Sequence, residues 1–112
     1  MSEPCFGVEP CPDGSVVIAT KGEDETSLTR VEPGTTQSSR VVEFVRNRAR
    51  APRICVASYS GRGLNLALAL GTLPDAEVIL TRPELLGPGS GQGATRGEPI
   101  AVALASYARR AA

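Results

Sequence analysis

The chain has 112 residues, 41% of them hydrophobic, with 12 basic and 12 acidic side chains and no histidine. That length suits one compact domain, and the charge balance leaves no whole-chain field to draw it onto nucleic acid or an anionic membrane. The missing imidazole removes Ser-His-Asp and Cys-His catalysis and most zinc chemistry.

Residues 5–11 (CFGVEPC) form a short apolar run, and Pro10 with Pro12-Asp13-Gly14 supplies turn chemistry directly after it. This is the first predicted strand. SVVIAT (15–20) and TSLTRVE (26–32) are the second and third, joined as a hairpin through Lys21-Gly22-Glu23-Asp24. Pro33-Gly34 ends that ribbon, and the hydroxyls from Thr35 to Ser39 open a helix expected to run to about Arg50. Its apolar stripe is Val41, Val42, Val45 and Ala49, with Glu43, Arg46 and Arg50 turned away. Pro52 stops it, and RICVASY (53–59) reads as a strand buried on both faces. Ser60-Gly61-Arg62-Gly63 turns the chain into LNLALALGTL, a helix apolar nearly all round. AEVILT (76–81) is a second buried-strand candidate. The glycine-rich segment 87–97 reads as a flexible linker, and EPIAVALASYARR (98–110) as a closing helix with Pro99 in its first turn.

Two strand–helix–strand passages require parallel pairing by right-handed crossovers, whereas the short turns after the first two strands make the first three antiparallel. The expected fold is α/β: one domain over 1–112, built on a mixed five-stranded sheet with helices on its faces. No stretch reaches the ~18 apolar residues of a membrane span, and the N-terminus lacks the basic flank and apolar core of a signal peptide. A cytoplasmic protein without a membrane partner is expected. Cys5, Cys11 and Cys55 form an odd set with no C-x-x-C pair, so neither a disulfide framework nor a metal site is expected of them.

Three antiparallel strands followed by helix, strand, helix, strand, helix is the element order of the RNase H-like fold. Within it, Gly7-Val8-Glu9 resembles the first-strand motif of the RuvC-like N-terminal domain of DEDD-type insertion-sequence transposases, with Glu9 where that family has Asp. Ser58-Tyr59-Ser60-Gly61 is similar to the end of its fourth strand and places Ser58 where the family carries Glu. Leu104-Ala105-Ser106-Tyr107-Ala108 resembles the tail of its last helix, and counting back from it puts Gly97 and Ile100 where the family's remaining two acids stand. The resemblance implies a centre in which four carboxylates hold two Mg²⁺ ions about 3.5–4 Å apart for phosphodiester chemistry. Three of the four are replaced here, and hard dications need several charged oxygen ligands. The expectation is therefore a catalytically incomplete, transposase-like pseudoenzyme with no cofactor, in which Glu9 is a residual acid.

Other residues carry the alternatives. A divergent Mg²⁺-dependent nuclease would build on Glu9, with Glu98 and Glu43 as the nearest candidate helpers. A small-anion or nucleotide-binding module would use Ser60, Gly61, Arg62 and Gly63, where a strand-to-helix turn offers free N–H groups and a guanidinium. Nucleic acid would be met by Arg40, Arg46, Arg50 and Arg53 around the first helix. A homodimer would form through the apolar helix at 64–70.

Overall fold

The computed structural model describes residues 3–58, 61–82 and 98–110. In chain order the elements are β1 (Cys5–Pro10), β2 (Val16–Lys21), β3 (Thr26–Val31), α1 (Gln37–Arg46), β4 (Arg53–Ala57), α2 (Gly61–Leu70), β5 (Glu77–Thr81) and α3 (Glu98–Arg110). The strands lie in the order β3-β2-β1-β4-β5. β1 is antiparallel to β2 and parallel to β4, β2 is antiparallel to β3, and β4 is parallel to β5. This is the α/β fold on a mixed five-stranded sheet expected from the element order. The proposed linker at 87–97 lies outside the described residues, as do Ser60 and Gly97.

Alternation along the strands splits the core between the two sheet faces. Phe6, Val8, Val16, Ile18, Ile54 and Val56 point to one face, where Val41 and Val45 of α1 and Leu66 and Leu70 of α2 cover them. Cys5, Cys55 and Ala57 point to the other, against Ile100, Leu104 and Ala108 of α3. Cys11, Val17 and Ala19 continue that second face against Ala101 and Ala105. Helix α3 lies unusually close to the sheet because Gly7 has no side chain. A Cβ there would collide with the backbone oxygen of Ala101 and the backbone nitrogen of Ala105, and would sit 2.8 Å from the Leu104 Cβ.

Two boundaries and the burial of one strand differ from the sequence expectation, each for a local reason. Helix α1 ends at Arg46, not near Arg50. Arg48 and Ala49 both donate to the Val45 carbonyl, and the next two amides, Arg50 and Ala51, donate at 2.7 and 2.9 Å to the carboxylate of Glu3 instead of to the helix. Those two bonds hold the Glu3 carboxyl below its ordinary range. Helix α2 begins earlier, at Gly61, with Gly63 against the Ala57 carbonyl, where any side chain would clash. β5 is not buried on both faces: as the last strand of the sheet it leaves Glu77 and Leu80 exposed and its other residues half-buried.

Among the described residues, no helix is long and apolar enough to cross a membrane. Helix α2 buries only the side carrying Gly63, Leu66 and Leu70, and Leu64 and Leu68 on its outer side stand 49% and 64% exposed.

Candidate functional site

The parallel strands β1, β4 and β5 end together, and chain connectivity reverses between β1 and β4. In α/β sheets the crevice outside such a switch point is the usual place for a ligand. Glu9, the residue before the last of β1, is fully buried there. It pairs with Val17 in β2 and belongs to the face covered by α3. Gly7 faces Ala101, Leu104 and Ala105, and the charge of Arg109 acts on Cys5, so the helix runs antiparallel to β1 and its first turn lies toward Glu9. A carboxylate is favoured at that end of a helix, where the peptide dipoles leave partial positive charge.

The turn from β1 to β2, which follows Glu9 and forms the rim of this end of the sheet, is held from three sides. Asp13 closes it locally: its Oδ1 accepts the Ser15 amide at 2.9 Å and the Ser15 hydroxyl at 2.6 Å. These bonds, with Arg30 nearby, keep the Asp13 carboxyl below its usual range. Gly14 supplies the positive φ of 95° that the turn needs. From α1, the Gln37 side-chain amide donates to the carbonyls of Gly14, Val31 and Glu32. From α2, the Arg62 guanidinium donates to the carbonyls of Cys11 at 2.6 Å, Gly14 at 2.8 Å and Ser15 at 3.2 Å. Arg62 therefore ties the start of α2 to the rim beside β1.

The residues singled out in the sequence fall as follows. Ser58 follows β4 directly, half-buried, and its amide donates to the Thr81 carbonyl at 2.7 Å. Ile100 is buried in the apolar contact of α3 with Cys5, Cys55 and Ala57. Glu43 is exposed on α1, on the opposite side of the sheet from Glu9, so the two are not brought together. Of the anion-turn set, Gly61 and Gly63 open α2 and Arg62 faces backbone carbonyls, while Ser60 is outside the described residues. Arg40, Arg46 and Arg50 are exposed on α1 and its exit, whereas Arg53 is half-buried and paired with Glu77 at 2.8 Å. The rim residues Asp13, Ser15, Arg30 and Gln37 were not anticipated. The Pro-Asp-Gly-Ser run carries the signal for the first two, since Asp commonly accepts from the amide two residues on.

The three cysteines are buried, all on the α3 side of the sheet. Burial pushes the Cys55 thiol up to about 12, and raises Cys5 and Cys11 as well, the negative charge of Glu9 adding to the rise at Cys11. They are inert small apolar residues and not nucleophiles.

Chemically, this end of the sheet holds one fully buried carboxylate beside a turn of backbone and hydroxyl groups. At the positions where the transposase resemblance would place further acids stand a hydroxyl (Ser58), a glycine (Gly97) and an alkyl chain (Ile100). Among the described residues no group of three or more acidic, thiol or imidazole side chains could hold a metal ion. These donors do not fit a pair of magnesium ions, which require several charged oxygens between them. In comparison with known proteins, the chain matches no family model and no curated protein at a significant level.

Proposed function

We propose that this chain is a transposase-like RNase H-fold protein that lacks the acids for two-metal cleavage and acts by holding nucleic acid. The observation that carries this reading is the setting of Glu9. It occupies the carboxyl end of the central strand, where this fold would place its first acid, yet Ser58 and Ile100 stand at two of the positions where companion carboxylates are needed. Exposed guanidiniums of Arg40, Arg46 and Arg50 provide donors for phosphates, and Arg53 lies at the start of β4 beyond them. The outer leucines of α2, Leu64 and Leu68, support self-association as the protein-partner side of the same role.

Fluorescence anisotropy with labelled single-stranded and duplex DNA, across a salt series, tests this. Binding is expected to weaken as salt rises, because each phosphate contact releases counterions. The triple variant Arg40→Glu, Arg46→Glu and Arg50→Glu is expected to bind more weakly and with a shallower salt dependence, while Glu9→Gln binds as wild type. Absence of binding at low salt refutes the proposal. Mg²⁺-dependent cleavage that vanishes in Glu9→Gln also refutes it, in favour of a divergent nuclease. Thermal stabilisation by phosphate that disappears in Arg62→Ala, without DNA binding, points instead to an anion module.

A further inference from the structure

The exit of α1 and the loop from α2 into β5 enclose a pocket of about 260 Å³ between them. Pro52 comes just before β4 and Asp75 just before β5, so the pocket lies at the end of the sheet opposite Glu9. Its apolar lining is Ala49, Pro52 and Leu73, all buried, with exposed Pro74 beside them. Its polar lining is exposed: Arg46 and Arg50 on the α1 side, Asp75 on the loop side. The volume falls below the ~300–1,000 Å³ of sites for drug-sized ligands, which suits a single flat ring system with its substituents.

The backbone around this pocket is already tied down. Glu3 accepts the amides of Arg50 and Ala51, the Glu77 amide donates to the Pro52 carbonyl at 2.9 Å, and the Ala76 amide to the Leu73 carbonyl at 3.3 Å. The charged side chains, by contrast, are unspent. Among the described residues none of Arg46, Arg50 and Asp75 is in an ion pair. Glu3 does not occupy Arg50: its carboxyl is held down first by the two amides and only last by the charge of that arginine.

We propose that this pocket takes one unpaired, amino-bearing base of a single-stranded nucleic acid, a site that rests on the nucleic-acid reading and narrows it. The ring lies against the alkyl and proline lining. Its exocyclic amino group donates to Asp75, as carboxylates accept from the N4 amino group of cytosine. The neighbouring phosphate meets Arg46 and Arg50 at the mouth. The C-terminal ends of α1 and α2 both open here, and their partial negative charge favours a donor edge inside while leaving the phosphate to the guanidiniums outside. Thymine lacks the amino group, and the one N–H of its pairing edge stands between two carbonyl oxygens that repel a carboxylate. In a duplex the pairing edge is taken and the ring is stacked, so entry requires opening a pair.

Fluorescence anisotropy at low salt and neutral pH, with oligo-dC, oligo-dT of equal length and a mixed-sequence duplex, tests this. Oligo-dC is expected to bind about fivefold or more tighter than oligo-dT, the discrimination of one good base contact, and tighter than the duplex. Asp75→Asn is expected to bring oligo-dC and oligo-dT to within about twofold, because an amide both donates and accepts. Asp75 sits at a φ of 60°, a conformation that asparagine also adopts readily, so the loop is kept. Titration with cytidine monophosphate is expected to shift the amide resonances of Ala49, Leu73 and Asp75. Equal affinity for oligo-dC and oligo-dT, or for single strand and duplex, overturns the base pocket. So does a preference for oligo-dC that survives Asp75→Asn, or cytidine monophosphate that leaves those three amides unmoved. Salt-sensitive binding that persists in any of these cases leaves the nucleic-acid reading standing, whereas absence of binding to all three nucleic acids overturns both.

Discussion

Replacing Gly7 by alanine tests the packing that places α3 over the crevice. The added methyl would overlap backbone atoms of Ala101 and Ala105 and approach the Leu104 Cβ to 2.8 Å, and backbone cannot change rotamer to escape. Relief requires α3 to lift by about 1 Å, a gap that forfeits a quarter to a half of the attraction between the atoms it separates. Overpacking of this kind costs about 1–3 kcal/mol, and a backbone clash belongs at the upper end. Alanine also restricts the unfolded chain, which returns about 0.4–1 kcal/mol. The net loss is about 2 kcal/mol, or about 8 °C in Tm at ~4 °C per kcal/mol for a domain of this size. Urea unfolding followed by circular dichroism measures it. Gly34→Ala is the matched control, since a Cβ there meets nothing within 4 Å, and its change should stay within about 0.5 kcal/mol. If Gly7→Ala is as stable as wild type, or if Gly34→Ala loses as much, the close approach of α3 is not what requires glycine at this position.

Two further outcomes are expected. Arg62→Ala removes donors from three partly buried carbonyls, those of Cys11, Gly14 and Ser15. It should cost about 1–3 kcal/mol in chemical denaturation and speed amide exchange between residues 11 and 15; unchanged exchange there would show that the rim does not depend on α2. The Cys55 thiol is raised from an ordinary 9.0 to about 12 by burial. Above pH 9 the unfolded chain therefore loses that proton while the folded one keeps it, so this contribution to stability is complete below pH 9 and declines between 9 and 12. The urea midpoint should fall across that window, and Cys55→Ala should flatten the fall. An identical slope in the variant would locate the alkaline sensitivity elsewhere.

The mixed sheet was readable because each local pattern agreed with the global one: two short turns for the antiparallel half, two helical crossovers for the parallel half. What the sequence could not separate was a central strand from an edge strand. RICVA and EVILT are both short apolar runs, and only the position of β5 at the sheet's end leaves Leu80 exposed. The end of α1 was hidden for a different reason, because it depends on Glu3, 47 residues away in sequence from the Arg50 amide it accepts. Glu9 stood out as the acid in an apolar run, and its burial at the end of β1 agrees with that reading. The role of Arg62 did not, since its carbonyl partners lie 47 to 51 positions upstream and a glycine-flanked arginine reads locally as an anion contact.

Of the five strands, the one synthesised first is among the last that can be finished. β1 is flanked on one edge by β4, which begins at Arg53, and roofed on one face by α3, which begins at Glu98. On a ribosome the hairpin of β2 and β3 can assemble early, but the surface holding Glu9 stays wet until α3 has left the exit tunnel. Cooperative closure is thus postponed until α3 has emerged, and a nascent chain stalled before residue 98 would display the central strand's apolar side to chaperones.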